Sequence, residues 1–135
     1  MDGRALARHL GEPEPGDPVA YAHDFLSRTD AASRRAMATV AAALGAGIGG
    51  LVNLHDPDVV TLGALAVGLR AAAPAQFDQA YADGLMAFRK ATAPPVLDGL
   101  HGDEAPLHGA VLQGLDHITS ESALAEWARV RTGQS

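Results

Sequence analysis

The stretch Gly45-Ala46-Gly47-Ile48-Gly49-Gly50, GAGIGG, has the spacing G-x-G-x-x-G. In a strand-to-helix turn that spacing cradles the phosphates of a dinucleotide. The reading needs a strand before the stretch and a helix opening at it. Here no strand-like segment precedes it, and apolar residues run straight through at three-to-four spacing: Met37, Val40, Leu44, Ile48, Leu51 and on to His55. That is the pattern of one helix face. Ala38, Ala41, Ala42, Gly45 and Gly49 recur at the same intervals on a neighbouring face. Each glycine costs about 1 kcal/mol of helix propensity relative to alanine, a cost offset where another element packs on the bare backbone. The sequence therefore predicts one long helix with a close-packed small-residue face, and no phosphate loop.

Working outward, Thr29 or Asp30 caps the start of this helix, and Asp56-Pro57 stops it, because proline disfavours helical geometry in the residue before it. Upstream, RALARHL (4–10) makes a short helix, GEPEPGDP (11–18) a loop, and residues 18–28 a helix opening at Pro18 with Val19, Ala22, Phe25 and Leu26 on one face. Downstream, DVVTLGA (58–64) is β-branched, apolar and short, which predicts a buried parallel strand. LAVGLRAAA gives a helical turn or two. Pro74 restarts the helix, whose stripe of Phe77, Tyr81, Leu85 and Phe88 runs to about Lys90. Pro94-Pro95 opens a second strand, VLDGL. Asp103 caps a helix over 104–118 with Leu107, Val111, Leu115 and Ile118 facing inward, and a last helix, 121–131, carries Leu124, Trp127 and Val130. The order predicts a helix-rich α/β fold with few parallel strands. It divides a single domain, 1–135, into an N-terminal helix and loop (1–17), a core (18–118), and a C-terminal helix and tail (119–135).

The totals bound the function. A net charge of −6 gives no basic footprint for nucleic acid, so direct nucleic-acid binding by this segment is not expected. With no cysteine, disulfides and thiolate metal sites are excluded. Arg4, Arg8 and His9 fall where a signal peptide would be apolar, and no run reaches the length of a membrane span, so a cytoplasmic, membrane-free protein is expected. Two strands make a poor sheet on their own. Association beyond the monomer is expected, covering the incomplete sheet and the small-residue helix face.

ALGAGIGGLVNLHDPDVVTLGALA (43–66) and LHGDEAPLHGAVLQGLD (100–116) carry a resemblance. The first is similar to the C-terminal segment of the ROK family (repressors, open reading frames and sugar kinases), where a helix ending "lvnllnP" runs into a strand "vvvlGG". The second is similar to that family's closing "lgd-aall-GAa" helix. The resemblance spans about Ala5 to Trp127. It implies a partial C-terminal lobe of the actin-like ATPase (ribonuclease H-like) fold, whose two lobes clasp a sugar and ATP. The family's Asp-Gly-Gly-Thr phosphate loop, Glu-x-Gly-His sugar site and cysteine-rich zinc motif are not found in this sequence. No catalytic residue is therefore expected here, since phosphoryl transfer needs positioned phosphates, a metal and a base.

The family's Gly-Gly pair, which lets backbone approach the nucleotide, corresponds to Gly63-Ala64. These are the candidate cofactor-binding residues. The alanine methyl obstructs close approach and resists positive φ. The resemblance implies the effector and dimerisation part of a ROK-type, sugar-responsive transcriptional regulator, with the sugar site in residues upstream. The alternative is the C-terminal fragment of an ATP-dependent ROK sugar kinase, and only that parent would use ATP and magnesium.

Other residues invite a site reading and take a plainer one. His101, Asp103 and His108 match no zinc spacing and read as a capping aspartate with two surface histidines. His55 and Asp56 end a helix, where a histidine suits the dipole. Asn53 is expected to satisfy backbone groups near a helix end. Glu12, Glu14 and Asp17 read as a solvated acidic loop, and Trp127 as packed onto the lobe, with an interface anchor as the other reading.

Overall fold

The computed structural model describes residues 3–132, apart from the side chains of Asp103, Arg131 and Thr132. Its centre is α3 (Ala31–His55), a single 25-residue helix that contains the whole GAGIGG stretch. Asp30 rather than Thr29 caps it, its carboxylate accepting from the Ser33 N–H at 2.9 Å. At the other end Asp56 turns the chain with φ 51°. By length and composition α3 could cross a membrane, which corrects the expectation that no run is long enough. Alanine and glycine make it apolar along its length, and its buried side serves as the core's spine.

Two clusters divide that spine. Along its first half, Ala36, Met37 and Val40 meet Leu6 of α1 (Gly3–Leu10), Ala22 and Phe25 of α2 (Pro18–Leu26), and Leu69 of α4 (Leu65–Ala72). Along its second half, Ala41, Ile48 and Val52 meet Leu62 of β1 (Val60–Leu62) and Phe77 and Tyr81 of α5 (Pro74–Gly84). Val52 holds the place on the buried face that the sequence pattern gave to Leu51, which is exposed, as is Val19 on α2.

The glycine face does what its spacing predicts. A β-carbon on Gly45 would collide with the Phe77 carbonyl oxygen, and one on Gly49 would lie 3.0 Å from the Gly84 Cα and carbonyl carbon. Gly47 and Gly50, on the other side of the helix, face open space. Helices α3 and α5 thus touch backbone to backbone. This face is covered within the chain and is not left for a second copy.

The α5 helix ends at Gly84, and Leu85 is extended (ψ 140°). The expected helix to Lys90 is therefore two pieces, the second being α6 (Ala87–Lys90). Leu85 still reaches the core, whereas the break turns Phe88 out, 70% exposed. Strands β1 and β2 (Val96–Asp98) pair in parallel, Val60 opposite Val96 and Leu62 opposite Asp98. Both are shorter than their apolar runs. Of β1 only Leu62 is buried, with Val60 half-buried and Thr61 exposed.

A 3-10 turn (Gly102–Glu104) leads into α7 (Ala105–Ile118), followed by α8 (Glu121–Thr132). The cap assigned to Asp103 lies outside the described side chains. Every residue from Pro106 to Thr119 is exposed. The expectation that Leu107, Val111, Leu115 and Ile118 face inward is thus overturned. Their stripe is real, but among the described residues none buries it. Trp127, 59% exposed, does not pack onto the body either.

Candidate functional site

Ligand sites of parallel sheets lie beyond the carboxyl ends of the strands, where adjacent chain segments diverge. Both strands here end on one side, and an open cavity of about 660 Å³ lies there. Thr61, Leu62 and Gly63 line it from β1 and its exit. Leu97, Asp98, Gly99 and Leu100 line it from β2 and its exit, and His101 and Ala105 from either end of the 3-10 turn that leads into α7. The two exits are tied together by the Gly99 N–H donating to the Leu62 carbonyl at 2.7 Å. A side chain at Gly99 would crowd that same carbonyl oxygen. This tie explains the glycine.

Gly63 lies on the cavity wall, and Ala64, next to it, caps α4 with φ 50° and ψ −135°. That region of backbone space is almost exclusive to glycine and costs a residue with a β-carbon of order 1–3 kcal/mol. The turn is nonetheless held at both sides: the Gly63 carbonyl accepts from Ala66 N–H at 3.2 Å and the Ala64 carbonyl from Val67 N–H at 3.1 Å. The structure thus brings the Gly63-Ala64 pair to the mouth of the strand cleft.

Sequence reasoning missed the β2 side of the site. Asp98 is its one carboxylate among the described lining residues. Arg70 of α4 reaches across, its Nη1 donating to the Val96 carbonyl at 2.9 Å and standing 3.3 Å from Asp98 Oδ1. The guanidinium also lies over the Phe77 ring at 5.5 Å, so the core holds it in place. The signal was present: Arg70 is the single charge in the apolar run LAVGLRAAA. Apart from Asp98, Thr61 and His101 the described lining is apolar, with Leu100 95% exposed. Among the described lining residues no hydrogen bond pairs the Thr61 hydroxyl with His101 or Asp98. The arrangement can hold an apolar or planar group beside one neutralised carboxylate.

The remaining candidates are distributed elsewhere. His101 and His108 stack with ring centroids 4.2 Å apart, and both are on the surface. Among the described residues no group of three or more His, Asp or Glu is placed to hold a metal ion. Asn53 satisfies backbone groups as expected, but those of a helix end 31 residues away: it donates to the Gly84 carbonyl at 2.8 Å and accepts from Met86 N–H at 3.0 Å. Asp56 pairs with Arg89, joining the end of α3 to α6.

The acidic loop is not merely solvated. Glu12 accepts from the Tyr21 hydroxyl at 2.7 Å and from Arg28 at 3.1 Å, Glu14 pairs with Arg4 at 2.7 Å, and Asp17 caps α2. Burial, and then the bond to Glu12, raises the Tyr21 phenol above its ordinary pKa. These acids staple the loop to α1 and α2.

Comparison with protein-family models, with curated proteins and with solved structures gives no match to this chain.

Proposed function

We propose that this chain is the C-terminal effector and dimerisation part of a ROK-type, sugar-responsive transcriptional regulator, with no catalysis of its own. The finer fold assignment that goes with it is the C-terminal lobe of an actin-like ATPase, in a cytoplasmic protein. The reading is supported by the motif order in the sequence and by a long helix leading into the first of two parallel strands that share an open cleft.

The observation that carries it is Ala64. The chain keeps a glycine turn, at φ 50°, in the place of the family's second glycine, yet puts a methyl group there. In a kinase that turn brings backbone against a nucleotide, and a methyl on it works against close approach. A lobe that has given up the nucleotide while keeping the turn suits a regulator. Sugar and DNA would be bound by residues upstream, and this segment would supply rigidity and pairing.

The test is the coding sequence upstream of residue 1, together with calorimetric titration of the encoded protein with ATP and magnesium. The reading expects a helix-turn-helix, a Glu-x-Gly-His sugar motif and no tight nucleotide binding. An intact Asp-Gly-Gly-Thr loop with magnesium-dependent ATP binding overturns it in favour of the sugar kinase, and an upstream region with neither set of motifs overturns both.

A further inference from the structure

The strand cleft, at about 660 Å³, has the volume of a small-molecule site. Its walls are held by this chain's own bonds. Val60 N–H donates to the Pro95 carbonyl at 3.0 Å where the strands enter, and Gly99 N–H to the Leu62 carbonyl at 2.7 Å where they leave. Leu97 and Leu100 both line the cleft and are more than half exposed, so two large apolar side chains stand open at one cavity. A flat apolar body laid on them removes that surface from water.

The polar groups decide which body. No lysine or arginine is among the described lining residues. The Arg70 guanidinium behind the wall is committed: it donates to the Val96 carbonyl at 2.9 Å, stands beside Asp98 Oδ1 and lies over Phe77. Its pairing with Asp98 uses Oδ1, which leaves Oδ2 as an acceptor without a partner among the described residues, on a half-exposed side chain. An ionised carboxylate takes N–H donors strongly and has no proton to give an anion. The Thr61 hydroxyl, opposite Leu97 in the strand register, can add one bond in either direction.

We infer that the strand cleft binds a flat, apolar small molecule carrying N–H donors, of amide or amidine type, with its body on Leu97 and Leu100 and its donors on Asp98. A phosphate-bearing ligand is the wrong match, because the cleft meets it with a carboxylate and no cation. The inference rests on the reading above in one respect, that the nucleotide has been given up at this place. In a regulator such a ligand is a second effector, bound by this segment itself.

Benzamide, benzamidine and benzoate share one flat body and differ in the group it carries, so they serve as probes. They are titrated at about pH 8, above the ordinary histidine range. The whole encoded protein is used, so that any residues outside this chain are in place. Leucine-methyl NMR reads binding at Leu97 and Leu100, hydrogen exchange of α3 controls for folding, and ATP with magnesium is a fourth titrant. The expected result is saturable shifts of both leucines, with benzamide and benzamidine at least about tenfold tighter than benzoate. Asp98→Asn should erase that preference, since an amide carries no charge and can donate to benzoate. Leu97→Ala should weaken all three probes alike. Leucines that ignore every probe, benzoate binding as tightly as benzamide, or an order unchanged in Asp98→Asn overturns the inference and leaves the regulator reading standing. So does binding that Leu97→Ala does not weaken, because it lies elsewhere. Magnesium-dependent ATP binding at the same leucines overturns both.

Discussion

The side chain of Asn53 closes on the last turn of α5 by donating to the Gly84 carbonyl at 2.8 Å. Its oxygen takes the Met86 N–H, so one amide bridges the break between α5 and α6. The break is where Leu85 enters the core and Phe88 leaves it. Asn53→Ala removes both bonds and leaves a part-buried carbonyl without its donor, a loss of about 2 kcal/mol. Asn53→Asp should be nearly as damaging, because a carboxylate cannot donate to Gly84. Urea unfolding of both variants measures this, and a loss confined to Asn53→Ala would contradict the donor role.

Ala64 stores strain that a single substitution can release. Glycine adopts φ 50°, ψ −135° freely, although it adds entropy to the unfolded chain. The two effects leave Ala64→Gly more stable by about 1 kcal/mol, and Ala64→Val less stable than wild type. Thermal unfolding of the pair reads out the difference.

Acid should loosen the start of α3. Hydrogen bonds to Ser33 hold the Asp30 carboxyl below its ordinary value of 3.8. The ionised form is therefore bound better in the folded chain than in the unfolded one. Its contribution is complete above the ordinary value and is lost as pH falls through the lowered one. Asp30→Asn keeps a capping oxygen without the titration, so its stability should fall less steeply below about pH 4. A variant with an unchanged acid slope would show that Asp30 does not couple to folding.

The spine was legible because its information is local. Spacing alone placed Ile48 inward and Gly45 at a contact, and Pro57 and Pro74 marked the breaks. What the sequence could not show is which surface meets which. Leu107 to Ile118 reads as a buried stripe by pattern, and burial depends on a partner that the pattern does not name. Glu12 reads as solvated because Arg28, 16 residues on, comes near only after α2 folds back. The end of α5 was missed because Gly84, which looks like a helix interior, is there to meet Gly49. Of the strand cleft, Gly63 and Ala64 were singled out only by their resemblance to the family's Gly-Gly pair. Asp98, Arg70 and Leu100 join them only through the parallel pairing of β1 with β2.

The central claim is that GAGIGG is a place where two helices touch, and the contrast between its own glycines tests it most directly. Denaturant unfolding of Gly45→Ala and Gly47→Ala should give opposite signs. Gly45→Ala should lose about 1–3 kcal/mol as its methyl is forced against the Phe77 carbonyl. Gly47→Ala, facing open space, should gain up to about 1 kcal/mol of helix propensity. Equal effects at the two positions, or a stabilised Gly45→Ala, would contradict the account.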